Sequence, residues 1–161
     1  MTRPVRSLMI CTEKLPVPPV RGGAIQTYIQ AVAPRLARHH QVVVLGVTGP
    51  QLPDREVRDG VEYWRVPGGP FPQYQQRVLR VLSKVGSTFD VIHLFNRPRL
   101  LAQAARVLPE SRLILSLHNE MFRPEKISPE EAREAIAAAE RIVTVSDFIG
   151  RGVAALYPEA E

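Results

Sequence analysis

The sequence is short of everything that would tie it to a membrane, a metal or an oxidising compartment. Cys11 is its only cysteine, so an intramolecular disulfide is impossible and a cytoplasmic address is the default expectation. No C-x-x-C or H-x-x-x-H spacing occurs, which leaves Cys11, His93 and His118 without the pattern of a zinc site; no metal is expected. No G-x-S-x-G nucleophile elbow is present. Met1 to Cys11 carries Arg3 and Arg6 ahead of an apolar run too short for a signal peptide. Nowhere does the chain approach the ~18 uninterrupted apolar residues of a membrane span. Repeats and low-complexity tracts are also lacking.

What remains is a chain of 161 residues, 45% of them apolar, enough for one domain that buries roughly two thirds of its unfolded surface. Its formal charge of +5 is scattered and not gathered into a basic tail, so nucleic acid is not an expected partner. The excess leaves room for anionic small molecules or peripheral contact with a membrane surface.

Strand-like and helix-like segments alternate along the chain. Val5 to Cys11 reads as a buried strand, closed by the Pro-rich stretch Leu15 to Val20. Beyond Gly22 and Gly23, apolar residues at Ile25, Tyr28, Ile29, Val32 and Leu36 trace one helix face. Pro34 lies within it and predicts a kink or an early end. Gln41–Val47 and Val61–Val66 are strands, with the polar stretch from Gly49 to Gly60 between them a loop or an edge excursion. Tyr74–Val85 is helical, Asp90–Phe95 a strand, Pro98–Val107 a helix and Arg112–His118 a strand. A loop from Asn119 to Ile127 follows. Ser128, Pro129 and Glu131 then spell a capping box opening a helix to about Glu140. Arg141–Val145 is a short strand, and Ser146 caps a last helix through Leu156. This alternation predicts an α/β fold with a doubly wound parallel sheet, whose ligands bind beyond the carboxyl ends of the strands.

Three motifs fall in those loops. Gly22 and Gly23 open the first helix, where unpaired N–H groups and the helix dipole suit a phosphate; equally, the glycines could serve only the turn. A dinucleotide fingerprint is absent there, and Gly46 to Thr48 supply no carboxylate for a ribose, which disfavours a nicotinamide cofactor. Gly150, Gly152 and Ala155 do spell G-x-G-x-x-A, but inside the last helix, where the match is a decoy. The second motif is DVIHLFNRPRLL, Asp90 to Leu101. Asn96 and Arg97 emerge at a strand end and suit sugar hydroxyls and an anion; Asn96 could instead cap the next helix, and His93 could be a core histidine. The third is LILSLHNEMF, Leu113 to Phe122, with His118, Asn119 and Glu120 after an apolar strand. Such a polar triplet suits sugar recognition, although turn residues would look the same.

Together, PVPPVRGGAIQTYIQAVAPRLARHHQVVVLG (Pro16 to Gly46), DVIHLFNRPRLL, LILSLHN and AERIVTVSDFIGRGVAALYP (Ala139 to Pro158) resemble the family 4 glycosyltransferases. The likeness is strongest to the branch that includes the spore-coat polysaccharide enzymes. The resemblance implies a GT-B architecture of two Rossmann-like domains, in which residues 1–161 form the amino-terminal, acceptor-side domain. It implies a retaining transfer from a nucleotide-diphosphate sugar to a glycan, lipid or small-molecule acceptor, without a metal or other cofactor. By the same likeness Gly22 and Gly23 approach the donor diphosphate and His118 lies at the transferred sugar. Asn96, Arg97, Asn119 and Glu120 are expected at the acceptor or the cleft.

Family members carry two glutamates separated by seven residues in a carboxyl-terminal, donor-binding domain, and no glutamate pair here has that spacing. The expectation is therefore a chain inactive alone, with apolar surface exposed where its partner half belongs. Phe95 stands where the family often has a polar residue. A stand-alone sugar- or nucleotide-binding module is the alternative.

Overall fold

The computed structural model describes residues 3–160. Seven strands and five helices alternate: β1 (Arg6–Ile10), α1 (Ala24–Leu36), β2 (Gln41–Val47), β3 (Arg55–Arg58), β4 (Val61–Val66), α2 (Phe71–Val85), β5 (Val91–Phe95), α3 (Pro98–Val107), β6 (Arg112–Leu117), α4 (Pro129–Ala138), β7 (Arg141–Thr144) and α5 (Asp147–Leu156). They build one sheet in the order β3-β4-β2-β1-β5-β6-β7. Setting β3 aside, the parallel strands run third, second, first, fourth, fifth, sixth, the doubly wound order. The order reverses between β1 and β5, where a crevice opens beyond the strand ends.

The central strands read as continuous apolar runs because both faces are covered. Leu8 of β1, in register with Val43 and Ile92, joins Ile10 in a large core shared by α2, α3, α4 and α5. Its neighbour Met9 points the other way, into a smaller core closed by Ile25, Ile29 and Ala33 of α1. Tyr74, fully buried on α2, donates its hydroxyl to the Cys11 carbonyl at 2.7 Å and anchors the loop that leaves β1.

Several expectations need correction. The sheet is not wholly parallel: the excursion from Gly49 to Gly60 holds β3, which pairs antiparallel with β4 and protects that edge. Nor does α1 end early at Pro34, since it runs on to Leu36 and the Ala37 N–H still reaches the Ala33 carbonyl at 2.9 Å. Proline in a last turn forfeits one bond, here to a carbonyl on the solvent-facing Gln30, so water can replace it. Its buried face is Ile25, Gln26, Ile29 and Ala33, with Tyr28 and Leu36 38% and 37% exposed. Helix α2 begins at Phe71, one turn before Tyr74, and α4 ends at Ala138.

The α4 cap forms as its sequence predicts, with the Ser128 hydroxyl accepting from the Glu131 N–H at 3.2 Å. The Glu131 carboxylate accepts from that hydroxyl and from Arg99 on α3. Ser146 caps α5 in the same way. Gly150, the decoy glycine, lets α5 lie close to β7: a Cβ there would sit 3.0 Å from the Thr144 hydroxyl. Among the described residues, no helix is long and apolar enough to cross a membrane.

Candidate functional site

The crevice is built from three strand ends: Thr12 to Leu15 after β1, Asn96 and Arg97 after β5, and His118 and Asn119 after β6. Asn96 sits at φ 55°, in the left-handed region that asparagine tolerates better than most residues. Its side chain is 4% exposed and spent on structure. The amide nitrogen donates to the Asn119 Oδ1 at 2.7 Å, and Oδ1 accepts the His118 N–H at 2.7 Å. Asn96 therefore staples the end of β5 to the residues that present His118. It does not cap α3; Arg97 holds that position, with no side-chain hydrogen bond to the helix start.

Arg97 is likewise committed. Its guanidinium makes a two-pronged pair with Glu13, Nε to Oε2 at 2.9 Å and Nη2 to Oε1 at 2.7 Å, and Nη1 donates to the Asn96 carbonyl. The two side chains are 14% and 6% exposed. A pair this enclosed is held by geometry, and removing one partner would strand the other charge. It bridges β1 and β5 across the point where strand order reverses.

In front of these groups lies a cavity of about 500 Å³, bordered by Thr12, Lys14, the first turn of α1 from Ala24 to Gln26, Asn96, Arg97, His118 and Asn119. No side chain caps α1, so its first N–H groups face this space without a side-chain partner. Gly22 and Gly23 lead into it at φ 84° and 105°. At Gly23 a Cβ would fall 2.0 Å from the Gln26 Oε1, so the turn demands glycine. Gln26 is buried and donates to the Leu15 carbonyl at 3.0 Å and to the Cys11 sulfur at 3.3 Å, locking the loop against the helix. Burial pushes the Cys11 thiol up to about 12, which makes it an inert filler.

His118 is half-buried, edge-on to Tyr28 with ring centroids 5.3 Å apart, and near Phe95 at 5.8 Å. Partial burial lowers its pKa from the ordinary 6.5, which favours the neutral imidazole. His93 lies deeper on the same sheet face, stacked on Phe95 at 4.4 Å and hydrogen-bonded through Nε2 to the Ser116 hydroxyl. Burial first, and the nearby His118 second, push it down to about 4. That is a satisfied histidine behind the site.

The structure thus brings Asn96, Arg97, His118 and Asn119 to one crevice, sets Gly22 and Gly23 just ahead of the α1 turn that borders it, and leaves Glu120 out. Glu120 turns toward Arg123, 3.4 Å away, beside a narrow cleft with Phe122 and Ile149. Sequence reasoning missed Glu13, Gln26, Lys14 and Lys126. Glu13 carried a usable signal, being a carboxylate three residues past a central strand. Gln26 carried none, since a polar residue on an amphipathic helix reads as solvent-facing. Among the described residues, no three His, Cys, Asp or Glu side chains gather as a metal site would require.

An open doubly wound sheet thus sets the uncapped start of α1 and His118 around one cavity at its topological switch point. The profile of the Glycosyl transferase 4-like domain matches residues 23–161, and the chain belongs to that family. It is 45% identical over 152 residues to spore coat protein SA of Bacillus subtilis (strain 168), covering 94% of this chain and 39% of that protein. To YtcC of the same strain it is 41% identical, again over 94% of this chain and 36% of the relative. It therefore spans about two fifths of the length of these relatives. Among solved structures, its fold matches Anabaena Alr3699/HepE in complex with UDP and glucose, with a TM-score of 0.61 at 14% identity over 94% of this chain and 41% of that one. An α,α-trehalose 6-phosphate synthase from Burkholderia multivorans gives 0.60 at 13% identity, over 98% and 43%.

Proposed function

We propose that this chain is the amino-terminal, acceptor-side domain of a retaining glycosyltransferase that draws on a nucleotide-diphosphate sugar. The observation that carries the reading is the single cavity of about 500 Å³ in which the uncapped start of α1 faces His118. The diphosphate lies against Gly22, Gly23 and the first N–H groups of α1, where a fixed partial positive charge stabilises the leaving group as its charge develops. The neutral imidazole of His118 hydrogen-bonds the transferred sugar. Asn96 and the Glu13–Arg97 pair hold these parts in place, and Asn119 borders the sugar. No cofactor or metal takes part. A second, donor-binding domain closes the crevice and supplies the remaining contacts to nucleotide and diphosphate. Relatives more than twice as long as this chain, and the HepE structure holding UDP and glucose, support the reading.

The test is a panel of UDP-, GDP- and ADP-sugars assayed on the protein expressed from its whole reading frame, with the His118→Ala variant beside it. One donor should turn over. In the variant, turnover should fall by roughly two to three orders of magnitude, about 3 to 4 kcal/mol of transition-state stabilisation, with an unchanged circular dichroism spectrum. A fully active His118→Ala protein would remove His118 from the site.

A further inference from the structure

A second cavity, of about 370 Å³, adjoins the first and shares Lys14, Asn96, Arg97, Met121 and Lys126 with it. Neither His118 nor any residue of α1 borders it. Its size suits a small ligand. Its lining is apolar at Phe71, Pro98, Met121 and Ile127 and otherwise carries Lys14, Arg97, Arg99 and Lys126 against one carboxylate, Glu13, and the Asn96 amide. Arg97 is balanced by Glu13 and Arg99 by Glu131, the latter at 2.7 Å. Lys14 and Lys126 are different: neither has an ion pair or a side-chain hydrogen bond with any described residue. Two ammonium groups without an ion pair among the described residues therefore border a half-apolar cavity. An exposed Arg99, 46% accessible on its side chain, can release Glu131 at little cost, because exposed pairs are worth only ~0 to 1 kcal/mol.

We infer that this cavity receives the acceptor, and that the acceptor carries a phosphate group. The inference rests on the transferase reading above. A phosphate monoester is close to a dianion at neutral pH, which matches two free ammonium charges, whereas a carboxylate answers one and a neutral glycan neither. Phosphate seats beside Lys14, Lys126 and Arg99. The organic part of the acceptor lies along Phe71 and Ile127, and the rest extends past Asn96 toward the sugar held at His118. Lys14 and Lys126 also border the larger cavity, so the experiment must separate acceptor from donor.

The 161-residue chain, labelled with ¹⁵N, is titrated in turn with n-butyl phosphate, n-butyrate and UDP while its amide resonances are followed. Butyl phosphate should move Arg99, Met121 and Ile127, and butyrate should bind at least about tenfold more weakly, a difference of ~1.4 kcal/mol. The Lys14→Ala, Lys126→Ala double variant, altered only at exposed positions, should weaken butyl phosphate by about tenfold or more. UDP should move Ala24 to Gln26 and leave Ile127 alone. If butyl phosphate moves Ala24 to Gln26 and competes with UDP, the lysines serve the donor; the acceptor proposal falls and the transferase reading stands. Equal binding of butyrate, or none of butyl phosphate, overturns the phosphate assignment. UDP leaving Ala24 to Gln26 unmoved while butyl phosphate moves Ile127 would count against the donor site and for the phosphate site.

Discussion

Asn96 joins two strand ends with one side chain at a positive φ, and both features can be separated by substitution. Asn96→Ala removes the two bonds and adds strain at φ 55°; Asn96→Gly removes the bonds but relieves the strain. A half-buried His118 N–H left without its acceptor costs at most ~1 to 3 kcal/mol, so both variants should unfold at lower urea, alanine lower than glycine. In the whole enzyme both should lower kcat while leaving the donor KM nearly unchanged, because His118 shifts but the start of α1 does not. Equal loss in kcat and rise in KM would mean that the staple merely holds the fold. The sequence showed Asn96 as a polar residue at a strand end. It could not show that the amide is consumed by its neighbours, because that depends on a partner in β6.

At the scale of elements, the Glu13–Arg97 pair ties the loop after β1 to the start of α3. Glu13→Gln should destabilise the chain by about 3 to 5 kcal/mol, since it leaves a guanidinium enclosed without its counter-charge; chemical denaturation of the variant measures it. Strand β5 contributes to the pH response. His93 has a folded-state pKa near 4 against an ordinary 6.5, so as pH falls the unfolded chain takes up the proton first. Its contribution is fully present above pH 6.5 and is lost between about 6.5 and 4, on the order of 2 kcal/mol once partial exposure is allowed for. Urea midpoints of the native chain should fall across that window more steeply than those of His93→Gln. Parallel curves would show that His93 titrates normally.

Element types were legible wherever pattern and punctuation agreed, as in the apolar runs of β1 and β2 and the Ser128-Pro129 start of α4. They were less so where neighbours decide. The edge strand β3 is polar except at Val57 and exists because β4 offers it a free edge. Pro34 reads as a breaker, yet its last-turn position makes the lost bond cheap.

For the whole molecule, strand order brings Thr12 to Leu15, Asn96, Arg97, His118 and Asn119, far apart in sequence, to one crevice. Alternation along the chain predicted such a crevice; which residues point into it did not follow, and Glu120 turned away because Arg123 lies next to it. Val145, at the rim of the larger cavity, is 57% exposed, and Phe148 beyond it 62%. Such apolar side chains suit cover by the donor-binding half that the transferase reading requires. Bringing donor and acceptor into reacting geometry can supply ~7 to 11 kcal/mol of a transfer barrier, and one half-site cannot do it. The most direct measurement compares sugar transfer by the 161-residue chain with transfer by the whole reading frame, using the donor that the panel selects. The chain alone should transfer and hydrolyse essentially nothing while the whole protein turns over; robust transfer by the chain alone would contradict the account.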